Sequence, residues 1–182
     1  MSEDNEYINK TFLLNIIKKE TPIIESKIDE DKNYLYKMPS DFYLKPIIRT
    51  NFLGYPRIIE GGFPGKKGTV WEKYKLKVIF FIPRNYPNEP PKVIRFIPPV
   101  FHPNVSKEGN AYFTQSWYPE YGLTQILIDL QILLAKPCID YFYNREASEL
   151  YKNDMEKYNE RIKLSPYQKI VFKHDPTYKK YI

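Results

Sequence analysis

The sequence predicts a single α+β domain, and three observations carry that expectation. Apolar residues recur at helical spacing near the N-terminus and again in two segments of the C-terminal half. Between them lie short alternating runs rich in Ile, Val, Phe and Tyr, separated by Gly and Pro, which is the pattern of antiparallel strands joined by short loops. A length of 182 residues with 42% hydrophobic and 16% aromatic residues suffices for one compact domain with modest extensions.

In chain order, residues 5–19 place Ile8, Phe12, Leu13, Ile16 and Ile17 on one helical face, and Pro22 closes that helix. A charged connector without clear period follows to about Pro39. Residues 42–60 read as one or two strands with an irregular joint at Pro46 and Gly54-Tyr55-Pro56. Residues 61–68, GGFPGKKG, read as a turn-rich loop; a phosphate-binding loop is excluded by the glycine spacing and by the strand that follows. Strands are expected at 74–83 and 92–98, with the proline-rich turn YPNEPP between them. A buried helix carries the stripe Leu123, Ile126, Leu127, Leu130, Leu133 and Leu134. One last helix is expected from about Asn144 to Lys163, with Ala147, Leu150, Tyr151, Met155, Tyr158 and Ile162 on its apolar face. The chain thus divides into a helix and connector (1–37), a core (38–163) and a basic aromatic tail (164–182).

The net charge of +6 makes an anionic partner conceivable. Acids and bases alternate through most of the chain, however, and only the tail, with Lys169, Lys173, Lys179 and Lys180 against Asp175, is clearly basic. Nucleic acid is therefore disfavoured as the main partner. Cys138 is the only cysteine, which excludes an intrachain disulfide and the cysteine pairs of zinc modules. His102 and His174 stand without a carboxylate cluster at ligand spacing, so no metal or other cofactor is expected. No apolar run reaches membrane-spanning length, and the acidic opening Ser2 to Glu6 is wrong for a presequence. The expectation is a cytoplasmic protein, monomeric when alone.

The motifs YPNEPPKV, FHPNV, Trp117-Tyr118-Pro119 and NREASELY follow one another at spacing that resembles the ubiquitin-conjugating enzymes, with IIEGGFPG where that family carries a Gly-Pro-Pro loop. The resemblance spans residues 58–163. It implies an N-terminal helix, a four-stranded antiparallel sheet and C-terminal helices, with Tyr86, Pro87, Pro90, Pro91, His102, Pro103, Asn104, Trp117 and Pro119 as motif residues that shape the fold. It also suggests a cis peptide at Tyr86-Pro87. Partner contacts in the family map to Asn88 and Glu89 in one loop and to Tyr118, Pro119 and Glu120 in another.

The resemblance breaks at its chemical centre. In active members, the cysteine that takes ubiquitin as a thioester lies eight positions beyond the motif Asn, and here that position is Tyr112. A phenol does not reproduce thiol exchange. Asn104 is associated in the family with the oxyanion of the attacked thioester, but without a thioester its expected role is to tie down its own loop. Cys138, in a loop that the family places near the active-site groove, is the remaining nucleophile, although a buried cysteine acting as a small hydrophobe is the commoner situation. No His or cationic cluster adjoins it in sequence to activate it.

The sequence therefore leads to the expectation of a catalytically inactive scaffold of this fold. Residues 39–60 and FIPPVFHPNV resemble the fused-toes (AKTIP) type, which implies an adaptor binding a Hook-like coiled-coil complex in dynein-linked vesicle transport. Two alternatives stay open: a ubiquitin-pathway cofactor that binds ubiquitin or an active conjugating enzyme, and an atypical conjugating enzyme using Cys138.

Overall fold

The computed structural model describes residues 12, 15, 16, 41–47, 58–112 and 116–164. The expected connector, the joint at Gly54-Tyr55-Pro56 and the C-terminal tail lie outside the described residues. Of the expected first helix, Phe12, Asn15 and Ile16 are described and helical, and Ile16 is buried in the main core with Phe12 packed against it.

Four strands, β1 (Tyr43–Ile47), β2 (Ile58–Pro64), β3 (Lys75–Phe81) and β4 (Val93–Phe96), form one antiparallel sheet in sequence order. Pro46 has no N–H to give a ladder, and it is tolerated because β1 lies at the sheet edge. The two-residue period sorts the strands into faces. Ile59, Phe63, Leu76, Val78, Phe80, Ile94 and Phe96 enter the main core, while Ile58 and Ile79 join Ile97 in a smaller cluster on the other side.

Three helices complete the described fold: α1 (Gly122–Ala135), α2 (Arg145–Asn153) and α3 (Met155–Lys163). Leu123, Ile126, Leu127, Leu130 and Leu134 of α1 are all buried and lie across the sheet. The expected α+β architecture, with an antiparallel sheet of four strands and helices after it, is the one the chain adopts.

Two local expectations need correction. Residues 61–64 belong to β2 and are not a turn. Gly61 and Gly62 serve close approach: a Cβ on Gly61 would stand 2.8 Å from Phe80 Cε2 and 2.9 Å from Leu127 Cδ2, and one on Gly62 would overlap the Tyr43 ring. Composition alone reads such glycines as turn residues, although a strand also uses them where another group must come near. The long C-terminal helix is broken at Asp154, which sits at φ −152° and ψ 78°. Its side chain accepts the Lys157 N–H at 3.1 Å and so caps a new helix, while its own N–H closes the old one on the Leu150 carbonyl at 2.8 Å.

Candidate active site around Asn104 and Cys138

Between β4 and α1, the chain passes through His102, Pro103 and Asn104, all fully or nearly fully buried. The Pro103 carbonyl accepts the N–H groups of Tyr143 and Asn144 at 2.8 and 3.0 Å, which fixes the segment before α2 against this motif. Asn144 then caps α2 by accepting the Ala147 N–H at 3.1 Å. His102 Nδ1 accepts the Asn104 N–H at 3.1 Å, so the proton of the neutral ring belongs on Nε2. Burial pushes the His102 pKa from 6.5 down to about 3; the nearby carbonyls of Leu133 and Leu134 oppose this more weakly. This imidazole is neutral at physiological pH.

Asn104 connects three parts of the site. Its side-chain oxygen accepts the Cys138 N–H at 2.9 Å, and its amide nitrogen donates to the carbonyls of Cys138 and Tyr141 at 2.7 and 2.6 Å. Its own carbonyl accepts the N–H of Tyr112 at 2.8 Å. Both amide protons of the side chain are therefore engaged by the Cys138 loop. Cys138 itself is exposed. This corrects the expectation of a buried, merely space-filling cysteine: Pro137 before it turns inward while the thiol-bearing residue faces solvent.

Tyr112 stands beside that loop with its ring centroid 6.1 Å from Tyr141, nearly parallel, and 5.0 Å from Tyr143, nearly perpendicular. Neither Tyr141 nor Tyr143 is singled out by the sequence motifs, although the aromatic run 141–143, which begins three residues after Cys138, is a visible signal. Tyr112 and Tyr143 also line a cleft of about 390 Å³ with Pro90, Pro91, Ile94 and Trp117.

The structure brings the two candidate partner loops together. Trp117 Nε1 donates to the Pro87 carbonyl at 2.7 Å, and its ring packs between Tyr86 and Tyr121 at 5.7 and 6.0 Å. The peptide bonds Tyr86-Pro87 and Ile97-Pro98 are cis. Asn88 and Glu89 on one loop, and Tyr118, Pro119 and Glu120 on the other, are exposed; Glu89 is held by Asn85 Nδ2 at 3.0 Å. Among the described residues, no three His, Cys, Asp or Glu side chains gather where they could hold a metal. No helix among them is long and apolar enough to cross a membrane.

The sequence model of the ubiquitin-conjugating enzymes matches residues 27–172, which takes in both the sheet and the helices. The chain belongs to the ubiquitin-conjugating enzyme family. It is also similar to the SUMO-conjugating enzyme UBC9 of Caenorhabditis elegans, 32% identical over 144 residues that cover 74% of this chain and 84% of that protein. This likeness to a conjugating enzyme over most of its length overturns the expectation of an inactive scaffold, and with it the fused-toes adaptor of vesicle transport. The physical source of the error is specific. Tyr112 in place of a thiol reads as loss of the chemistry when that position is considered alone, whereas the chain offers an exposed cysteine at Cys138, anchored to the family's own Asn.

Proposed function

We propose that this chain is an atypical conjugating enzyme that carries a ubiquitin-like modifier on Cys138. The observation that supports this reading best is the anchoring of Cys138, through both its N–H and its C=O, by the side chain of Asn104. A cysteine in a solvated loop samples many positions. This one has its backbone fixed by two hydrogen bonds from a residue that is itself 0% exposed.

In this reading, the Cys138 thiolate attacks the thioester carbonyl that joins the modifier's C-terminus to an activating enzyme. A new S–C bond forms, and the activating enzyme's thiolate leaves with the electron pair of the old one. An acceptor amine then attacks the same carbonyl. The N–C bond forms, the Cys138 thiolate departs, and the amine gives its proton to solvent. Asn104 is a positioning residue here, because its amide protons are already committed to the carbonyls of Cys138 and Tyr141. The likeness to a SUMO-conjugating enzyme supports SUMO or ubiquitin as the class of modifier. The joined loops bearing Asn88, Glu89, Tyr118 and Glu120 are the proposed contact surface for activating or ligase proteins.

The test is incubation with ATP, an activating enzyme and its cognate modifier, SUMO and ubiquitin in parallel, followed by a non-reducing gel. A thiol-sensitive adduct that persists in Tyr112→Phe and vanishes in Cys138→Ser is the expected result. Absence of any adduct with both modifiers, each loaded on its activating enzyme, would overturn the reading.

A further inference from the structure

Every residue from Cys138 to Tyr143 is exposed, between the buried Pro137 and the buried Asn144. A loop that buries no side chain takes no fixed shape from the core, so its shape depends on what grips it from outside. Hydrogen bonds supply part of that grip. Asn104 holds Cys138 and the Tyr141 carbonyl, and the Pro103 carbonyl holds the N–H groups of Tyr143 and Asn144. A ring supplies the rest. The Tyr112 centroid lies 6.1 Å from Tyr141 with 20° between the planes, and 5.0 Å from Tyr143 with 77° between them. One contact is stacked and the other edge-on, both at separations where aromatic pairs attract.

Tyr112 is itself placed by its backbone. Ala111 before it bridges Val105 and donates its N–H to the Ile94 carbonyl of β4 at 2.9 Å, and Tyr112 donates its own to the Asn104 carbonyl at 2.8 Å. The ring therefore stands on a segment tied both to the sheet and to the residue that anchors Cys138. We propose that Tyr112, at the position of the cysteine in active members of the family, is a positioning residue: its ring clamps Tyr141 and Tyr143 and so steadies the loop in which Asn104 presents Cys138. This role rests on the conjugating reading, in which Cys138 is the nucleophile. A thiol at position 112 has no ring to stack, so the residue that removes the nucleophile there also supplies the clamp for the one at Cys138. The clamp grips the Cys138 loop and not the loops bearing Asn88, Glu89, Tyr118 and Glu120. Its effect therefore falls on the rate of acyl transfer to Cys138, and the half-saturating concentration of charged activating enzyme stays unchanged.

Two measurements test this and separate it from the conjugating reading. Where hydrogen exchange follows the opening equilibrium, the Cys138 and Tyr143 amides of Tyr112→Leu should exchange about three- to twentyfold faster than in the parent. Tyr112→Phe, which keeps the ring, should restore the parent rates. In single-turnover transfer of the modifier from its activating enzyme, Tyr112→Leu should lower the maximal rate of thioester formation on Cys138 about threefold or more at an unchanged half-saturating concentration. Phe should restore this rate as well. Loop amides as slow in Tyr112→Leu as in the parent, or a Phe variant that behaves like Leu, would overturn the ring clamp. Faster loop amides with an unchanged maximal rate would overturn the positioning role and leave the conjugating reading standing. Faster loop amides in a protein that forms no thioester even as the parent would overturn the conjugating reading and the role with it, while the clamp itself would stand.

Discussion

Asn104 and Cys138 are joined peptide to side chain: the carboxamide oxygen accepts the cysteine's N–H at 2.9 Å and the carboxamide nitrogen donates to its C=O at 2.7 Å. A carboxamide is the one side-chain group of this size that both accepts and donates, so it can engage both ends of one residue's backbone. The same nitrogen also reaches the Tyr141 carbonyl, and the position of the exposed thiol is thereby tied to the buried His-Pro-Asn segment.

Asn104→Asp keeps the acceptor for the Cys138 N–H and turns the two donors into a carboxylate facing two carbonyls. Asn104→Ala removes all three bonds. Each net hydrogen bond contributes about 1 kcal/mol, and a carbonyl left buried without a partner costs about 1–3 kcal/mol more. Asn104→Ala is therefore expected to lose about 2–5 kcal/mol in urea unfolding. Asp should unfold no later than Ala despite its closer shape. Thioester formation on Cys138 should fall in both variants at temperatures where each is still folded by near-UV circular dichroism. Thioester rates equal to the parent's would mean that the anchoring is irrelevant to the thiol.

His102 gives the protein a defined acid limit. Its folded pKa of about 3 lies below the ordinary 6.5, because burial disfavours the imidazolium. Above pH 6.5 both folded and unfolded chains carry it neutral, and its contribution is constant. Between 6.5 and 3 the unfolded chain binds one more proton, so stability is lost as pH falls, at up to about 1.4 kcal/mol per pH unit. Urea midpoints measured from pH 8 to 4 should show this slope, and His102→Gln, though less stable at pH 8, should show less of it.

Asp129 on α1 acts with the opposite sign. Burial raises its pKa from 3.8 to about 6, and Gln125 Nε2 donates to it at 3.0 Å. The folded chain therefore binds the extra proton between pH 6 and 3.8. Stability from this group is fully present below 3.8 and is lost as pH rises through 6. Over pH 4 to 6, it offsets part of the loss from His102. Asp129→Asn should raise stability at pH 7 and steepen the decline below pH 6; an unchanged profile would show that the carboxylate is hydrated enough to titrate normally.

The fold was legible because its signals are periodic and local. The stripe Leu123 to Leu134 and the alternation through Leu76, Val78 and Phe80 specify their own buried faces. What escaped depends on contacts distant in sequence. Gly61 looks like a turn residue until Leu127 is laid across it, and Asp154 looks like one more helical residue until its carboxylate is seen to cap the next helix. The site was half legible for the same reason. The His-Pro-Asn motif can be read directly, but the 34-residue separation between Asn104 and Cys138 conceals their contact. Tyr112, read alone, suggested lost chemistry, and its stacking with Tyr141 and Tyr143 belongs to the folded chain only.

Tyr158 offers a test in which removing a polar atom should cost nothing. The residue is 2% exposed, its ring packs edge-on to Tyr151 at 5.2 Å and beside Phe101 at 6.0 Å, and among the described residues its hydroxyl has no hydrogen-bond partner. A buried hydroxyl without a partner loses its hydration on folding at a cost of about 1–3 kcal/mol, whereas the ring contributes apolar burial and edge contacts. Tyr158→Phe keeps the ring and discards the hydroxyl, so it is expected to match or exceed the parent's stability by up to about 1 kcal/mol in urea unfolding. Tyr158→Leu also discards the hydroxyl but opens space between Phe101 and Tyr151, and should lose about 1–3 kcal/mol. A Phe variant less stable than the parent would mean that the hydroxyl is bonded in solution, through a water or a neighbouring segment, and would place a polar contact beneath α3.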